Sequence, residues 1–261
     1  MKWTTLAMFA IPLVVAGVAL AQRELEPADE LPEPPAGMKW ELVWNDEFDG
    51  DELDTTKWEI PAAYARRDGW WRPDAISLTG NGELIINCFQ DGDEFVDGCV
   101  RTRGKYEKAK GYFVARVMLQ RSVGHWSAFW LYNACQGNLG EGAVNGAEID
   151  IFEKFSLDDQ VNHAIHWDGY GDEHMSAGWI SRVPDLTDGW HTYGLWWSDD
   201  AYIFYVDGKE VWRTSDGGIC EEPLYIKLSD EIGTWAGDIK EADLPDPFYV
   251  DYVRVYDLTE E

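Results

Sequence analysis

From Met38 to Asp257, short runs of alternating apolar and polar residues recur about every ten positions, separated by Gly, Asp and Asn. In residues 111–120 (GYFVARVMLQ), Phe113, Ala115, Val117 and Leu119 fall on one face, the pattern of a strand with one buried side. Residues 201–207 and 248–256 alternate in the same way. Asp207-Gly208, between YIFYV and KEVWR, predicts a two-residue hairpin, because both turn positions favour positive φ. Past the N-terminal segment no helical periodicity extends beyond about ten residues, and no internal repeat is present. Many short antiparallel strands without helices predict an all-β sandwich of two sheets, one domain over residues 38–261.

The flanks read differently. Residues 22–37 (QRELEPADELPEPPAG) are acidic and proline-rich, with too little apolar surface to order themselves, and read as a linker or tail. Residues 1–21 read as a secretory signal: Lys2, an apolar run over 6–18, then Ala19-Leu20-Ala21 before Gln22. Pro12 interrupts that run, and its length falls short of the roughly 20 residues of a spanning helix, so a secreted protein is expected rather than a membrane-anchored one. Cleavage there removes one of the 21 basic residues and none of the 49 acidic ones, taking the net charge from −28 to −29. Such a surface repels phosphate backbones and anionic headgroups, so neither nucleic acid nor membrane is an expected partner.

In an oxidising compartment the four cysteines, Cys88, Cys99, Cys135 and Cys220, are expected to pair. Three connectivities are open. A Cys88–Cys99 bridge across a hairpin is the most natural, and Cys135–Cys220 then follows by elimination. No Cys-x-x-Cys spacing points to a metal.

The chemistry concentrates at Glu148-Ile149-Asp150-Ile151-Phe152-Glu153. On a regular strand Glu148 and Asp150 share a face and Glu153 points to the other. A β-bulge after Asp150 absorbs one residue and returns Glu153 to the face of its partners. Four effective steps of about 3.3 Å set the two Glu backbones about 13 Å apart, and inward-leaning side chains narrow the gap to about 5–7 Å. Retaining glycoside hydrolysis uses a carboxyl pair about 5–5.5 Å apart, and inverting hydrolysis about 6.5–9.5 Å. The estimate leans towards retention. Asp150, between the two, would share a hydrogen bond or proton with Glu148 and keep the charges unequal. An acidic edge strand or a calcium site are the other readings, but Ile149, Ile151 and Phe152 mark a buried strand, where acids are costly unless they work.

The hexapeptide resembles the active-site strand of glycoside hydrolase family 16 in its bulged Glu-x-Asp-x-x-Glu form, shared by laminarinases, agarases, porphyranases and kappa-carrageenases. Further segments agree in order: LVWNDEF at 42–48, HWSAFWL at 125–131, WHTY at 190–193 and VDYVRVY at 250–256. The resemblance covers about residues 40–257. It implies a concanavalin-like jelly roll with the acids on a concave sheet, Glu148 as nucleophile, Glu153 as general acid and base, and Asp150 as their assistant. It also implies a polysaccharide substrate and no organic cofactor. Glu47 and Asp251 match positions that hold a structural calcium in many relatives, the one metal expected.

Sugar rings present apolar C–H faces that stack on aromatic side chains. Trp126 and Trp130, four apart on one run, share a face and are expected to line subsites beside Glu148. Of the two indoles in GWWRPD, Trp71 is the expected outer platform, and Trp235 is a further one. His166 matches a cleft histidine of bulged relatives, while His163, three residues away, faces the opposite side. The KLSDEIGTWAG segment around Glu231 and Trp235 departs from the glycine-rich, Asn-containing laminarinase pattern. The leading substrate is a β-1,3- or mixed-linkage glucan and a red-algal galactan is the alternative; a strongly sulfated chain would need a local basic patch, which Arg66, Arg67, Arg72, Arg101, Arg103 and Lys105 could supply. A sugar-binding module without turnover is a second class of function. A monomer is expected.

Overall fold

The computed structural model of the chain describes residues 31–261. The expected signal segment and the start of the acidic linker lie outside the described residues. Two sheets, of eleven and seven strands, face each other, antiparallel except where Gly69–Trp71 pairs parallel with Glu94–Asp97, and the only helical elements among the described residues are 3-10 turns. This is the concanavalin-like jelly roll. The seven-stranded sheet runs Met175–Arg182, Gln160–Trp167, Glu148–Lys154, His125–Tyr132, Leu224–Ile232 and Cys99–Arg101, with Glu107–Lys108 also paired to Leu224–Ile232. No helix among the described residues is long and apolar enough to cross a membrane.

The core fills the space between the sheets. Phe113, Ala115 and Val117 of the Gly111–Met118 strand meet Phe129, Leu131, Ile149, Ile151, Ile165 and Leu228 from the opposing sheet. The period-two reading of that strand accounts for its inner face, but Tyr112 and Val114 on its outer face are buried as well. They lie under a second cluster with Tyr205, Tyr252 and Tyr256, which Leu31, Trp40 and Trp196 cover from outside. The Trp40 indole donates to the Pro32 carbonyl at 2.7 Å, so the end of the proline-rich segment is fastened to the domain from Leu31 onward.

The Asp207-Gly208 turn closes its hairpin with both residues at positive φ, 47° and 69°. Asp207 also accepts the Thr192 amide at 3.0 Å, which ties the turn to the neighbouring strand. The cysteine expectation needs correction, since all four are free thiols. Cys88 lies on the eleven-stranded sheet, in a cluster with Ile232 and Ile239, whereas Cys99 lies on the seven-stranded sheet against Trp71, Ala128 and Trp130. The two sequence runs are not one hairpin, because the short Glu94–Asp97 strand intervenes and the chain then changes sheet. Cys135 and Cys220, by contrast, both lie against the Ala147 amide.

Candidate active site

The acid strand Glu148–Lys154 carries the bulge. Against His125–Tyr132, Asp150 pairs with Trp130 and Glu153 with Ala128, so three residue steps on one strand oppose two on the other. The register against Gln160–Trp167 shifts at the same place, with Glu148 opposite His166, Asp150 opposite Ala164 and Glu153 opposite Asn162. Ile151 is the residue left over. Its carbonyl is taken by the ring of buried His163, Nδ1 to oxygen 2.6 Å, while His163 Nε2 meets Ser181 Oγ at 2.7 Å. Burial lowers the His163 pKa to about 4, so the ring is neutral, donates through Nδ1 and accepts the serine hydroxyl at Nε2. Ile151 and Phe152 both enter the core, and Glu148, Asp150 and Glu153 line one groove.

That groove encloses about 440 Å³, within the roughly 300–1,000 Å³ usual for a ligand site. Its acids are not equivalent. Burial raises Glu148, opposed by a hydrogen bond from Tyr170 and by the charges of His166 and Lys227. Burial and the neighbouring Glu148 push Asp150 well above the carboxylate range. Burial, then the Asp150 charge, lifts Glu153 from 4.5 to about 8, and Asn162 Nδ2 donates to its Oε2 at 2.9 Å. Near neutral pH the site therefore holds protons, with Glu153 among the protonated groups. Asp150 Oδ2 lies 3.3 Å from His166 Nε2. Glu148, Asp150 and His166 each offer a ligand atom within 4.8 Å of the others, so the cluster could also hold a divalent ion.

The far side of the groove is the Leu224–Ile232 strand. Leu224, Ile226 and Leu228 face the core while Lys227, Ser229 and Glu231 face the groove. Lys227 is 6% exposed, and burial lowers its pKa to about 8. Its ammonium sits 3.4 Å from the Trp130 ring centroid, 5.2 Å from that of Trp71 and 5.7 Å from that of Tyr132. The Tyr64–Trp71 hairpin closes this side. Arg66 reaches Glu231 at 2.5 Å, Arg67 binds its other oxygen, and the Asp68 amide donates to the Ile232 carbonyl at 3.2 Å. Gly69 permits that approach, since a Cβ there would stand 2.7 Å from the Ile232 side chain.

Trp126, Trp130, His166 and Trp235 all line this groove or its continuation past Glu153. Trp235 is 47% exposed, stacks on Phe155 at 4.7 Å and meets Trp126 edge-on at 5.3 Å. Trp71 is not the platform the sequence suggested. It is 1% exposed and its indole donates to the Asp230 carbonyl at 2.8 Å, so it supports the groove from beneath while Trp70 takes the outer face of the same short strand. The six basic residues do not gather into one patch. Arg66 and Arg67 reach the groove, but Arg72 pairs with Asp74, Asp91 and Glu94, Arg101 and Arg103 pair with Glu59, and Lys105 binds the Thr55 carbonyl.

Glu47 and Asp251 do not fit a cation in this arrangement. Arg254 holds both oxygens of Glu47, at 2.9 and 2.7 Å, and Arg116 holds Asp251 at 2.6 Å. Guanidinium groups stand where a calcium would need open carboxylates. Sequence reasoning missed Lys227, Tyr132, Asn162 and Tyr170. The polar alternation of Lys227, Ser229 and Glu231 was the signal for the first. Nothing in DGYGDEH marks the last.

Fold and groove together define a jelly-roll protein with an open cleft carrying three clustered carboxyls. The family described as beta-porphyranase A-D, glycoside hydrolase 16 domain, matches residues 40–258, and the chain belongs to glycoside hydrolase family 16. Among curated relatives it is 30% identical over 255 residues to beta-porphyranase E of Zobellia galactanivorans, covering 86% of this chain and 90% of that one. It is 27% identical to the beta-glucanase of Rhodothermus marinus, covering 83% and 85%. It is 26% identical to glucan endo-1,3-beta-glucosidase A1 of Niallia circulans over 86% of this chain, which spans 39% of that protein's length. The laminarinase catalytic domain of Thermotoga petrophila superposes with a TM-score of 0.71 at 25% identity, over 84% of this chain and 98% of that one.

Proposed function

We propose that the chain is a retaining endo-β-glycanase, with Glu148 as nucleophile, Glu153 as acid and base, and Asp150 as their assistant. The observation that carries this reading is the register shift between Asp150 and Glu153, which brings all three carboxyls to one groove floor. In the first step a Glu148 oxygen forms a bond to the anomeric carbon as the glycosidic bond breaks, and Glu153 gives its proton to the departing oxygen. In the second, water adds to that carbon and returns a proton to Glu153, and Glu148 leaves as a carboxylate. The proton held by Glu153 up to about pH 8 suits the first step.

A β-1,3- or mixed-linkage glucan is the leading substrate, supported by the relatives named glucanase and by Trp126, Trp130 and Trp235 as stacking surfaces. A specific observation favours a second reading, an anionic red-algal galactan: Lys227 is buried in the groove among rings and, among the described residues, has no carboxylate in ion-pair contact. The family match to beta-porphyranases points the same way. Export directed by residues 1–21 and action as a monomer belong to the same proposal.

Reducing-sugar release from laminarin, mixed-linkage glucan, agarose, porphyran and carrageenan tests it. One β-linked polysaccharide is expected to fall to internal cleavage, and Glu148→Gln to abolish release while leaving binding of that polymer intact. Binding without release by the unaltered protein would make it a sugar-binding module instead.

A further inference from the structure

One end of the sandwich holds a buried polar cluster that the groove chemistry does not use. It lies on the core face of two strands whose other face forms the groove: His125 precedes Trp126, and Asp230 precedes Glu231. From the eleven-stranded sheet, Cys88 on Leu84–Asp91 stands opposite Asp246, and the pairing of Phe89 with Val96, continued one step, sets Asp97 on its other side. Residues opposed on neighbouring strands share a face. Asp246, Cys88 and Asp97 therefore form a row that meets His125 and Asp230 of the seven-stranded sheet, and all five are buried. The Asp230 amide ties the two sides, donating to the Gly98 carbonyl at 3.0 Å.

Cys88, His125 and Asp230 each offer a ligand atom within 4.8 Å of the others. Asp246 Oδ2 accepts the Arg121 and Ser122 amides at 2.8 and 2.6 Å, so towards His125 Nε2, 3.1 Å away, it is an acceptor and the ring donates. That leaves Nδ1, 2.7 Å from Asp230 Oδ2, as the nitrogen turned to the cluster. A carboxylate behind one imidazole nitrogen and a metal at the other is the usual setting of a metal-binding histidine. A proton on Nδ1 would satisfy Asp230 Oδ2 alone. Asp230 Oδ1 and both oxygens of Asp97 remain buried without a hydrogen-bond partner. Asp97 lies within electrostatic reach of Asp230, His125 and Cys88. Buried carboxyl oxygens ordinarily have partners, and a cation serves several of them at once where a proton serves one or two.

We propose that Cys88, His125 and Asp230 bind a divalent transition ion of the zinc class between the two sheets, with Asp97 closing the remaining side. Thiolate and imidazole donors select zinc or a neighbouring first-row ion over calcium and magnesium, which take oxygen ligands. Binding releases the Cys88 thiol proton and leaves His125 Nδ1 unprotonated, while Nε2 keeps its proton for Asp246. The donors come from three strands in two sheets, so no Cys-x-x-Cys spacing announces them. The site is separate from the Glu148, Asp150 and His166 cluster, which faces the groove. Its role is structural: by joining His125–Tyr132 and Leu224–Ile232 to Leu84–Asp91, the ion fixes from behind the strands that present Trp126 and Glu231 to the groove. The donors are closed to solvent, so the ion enters as the chain folds.

The full chain, produced in minimal medium supplemented with zinc or with cobalt, is washed with EDTA and desalted, and its metal is counted by plasma mass spectrometry. About one zinc per chain is expected in the unaltered protein and in Glu148→Gln, and about tenfold less in Cys88→Ser. Zinc-loaded protein should melt several degrees above protein from zinc-free medium, a difference that Cys88→Ser lacks. The cobalt form of the unaltered protein should show the near-ultraviolet charge-transfer band of a thiolate ligand, which decides the matter even if Cys88→Ser fails to fold. Asp97→Asn should yield its zinc to a competing chelator about tenfold more readily, and an unchanged yield would strike Asp97 from the site. Metal below about 0.1 per chain, cobalt without the thiolate band, or zinc kept in full by Cys88→Ser would overturn the proposal. In the first case His125 is a protonated bridge between Asp230 and Asp246 and nothing more.

Discussion

Glu153 carries a proton at pH values where an exposed glutamate does not, and the consequence is measurable without substrate. Its pKa rises on folding from 4.5 to about 8, so the native state binds the proton more tightly than the unfolded chain. The associated stability is fully present below pH 4.5 and is lost as pH rises through about 8. Glu153→Gln cannot charge. Its melting temperature is expected to stay near that of the unaltered protein at pH 5 and to exceed it by several degrees at pH 9, read by calorimetry across the range. The same group sets the basic limb of the kcat/KM profile, expected near pH 8. Asp150→Asn removes the charge that ranks second, after burial, among the causes of the rise, so that limb should move to lower pH. The three acids were legible in the sequence because their spacing breaks period two. Trp71 was not, because alternation in GWW says that one indole is buried without saying which. Tyr170 was hidden in a polar turn whose anchor, Gln136, is distant in sequence.

At the scale of the element, the bulge is what the acid strand contributes, and His163 is what sustains it. A bulge leaves one residue outside the ladder, and a buried carbonyl without a partner costs about 1–3 kcal/mol. The Ile151 carbonyl escapes that cost through His163 Nδ1. His163→Leu is therefore expected to lower stability by roughly 1–3 kcal/mol in a urea titration and to reduce kcat more than KM, as Glu153 loses its fixed place beside Asn162. A loss of stability with unchanged kcat would mean that the bulge holds without its histidine. The sequence announced the bulge through spacing alone and placed His163 opposite His166. It was silent on the Ile151 carbonyl, because that contact depends on the register between two strands. The clamp of Arg66 and Arg67 on Glu231 was hidden for the same reason, joining segments 165 and 164 residues apart.

The whole molecule combines a net charge of −28 with a groove that holds Arg66, Arg67 and Lys227. A neutral glucan does not feel that field, whereas an anionic galactan must approach through it. Raising salt from about 20 to 500 mM should leave kcat/KM on laminarin within about twofold, and should raise it on a sulfated galactan as the repulsion is screened. The two-sheet sandwich was readable from alternation and turn residues, since each strand declares its buried face, and its jelly-roll form was implied by the family resemblance. The outer covering of Tyr112 and Val114 was not, nor was the separation of Cys88 from Cys99 between sheets, because both depend on which strands become neighbours. The central claim is that Glu148 and Glu153 act from one bulged strand in a double displacement. Proton NMR of the first products from a cleaved β-linked polymer tests it most directly. The β-anomer should appear first and mutarotate later. An α-anomer appearing first would mean that water attacks directly and that Glu148 never forms a bond to the sugar.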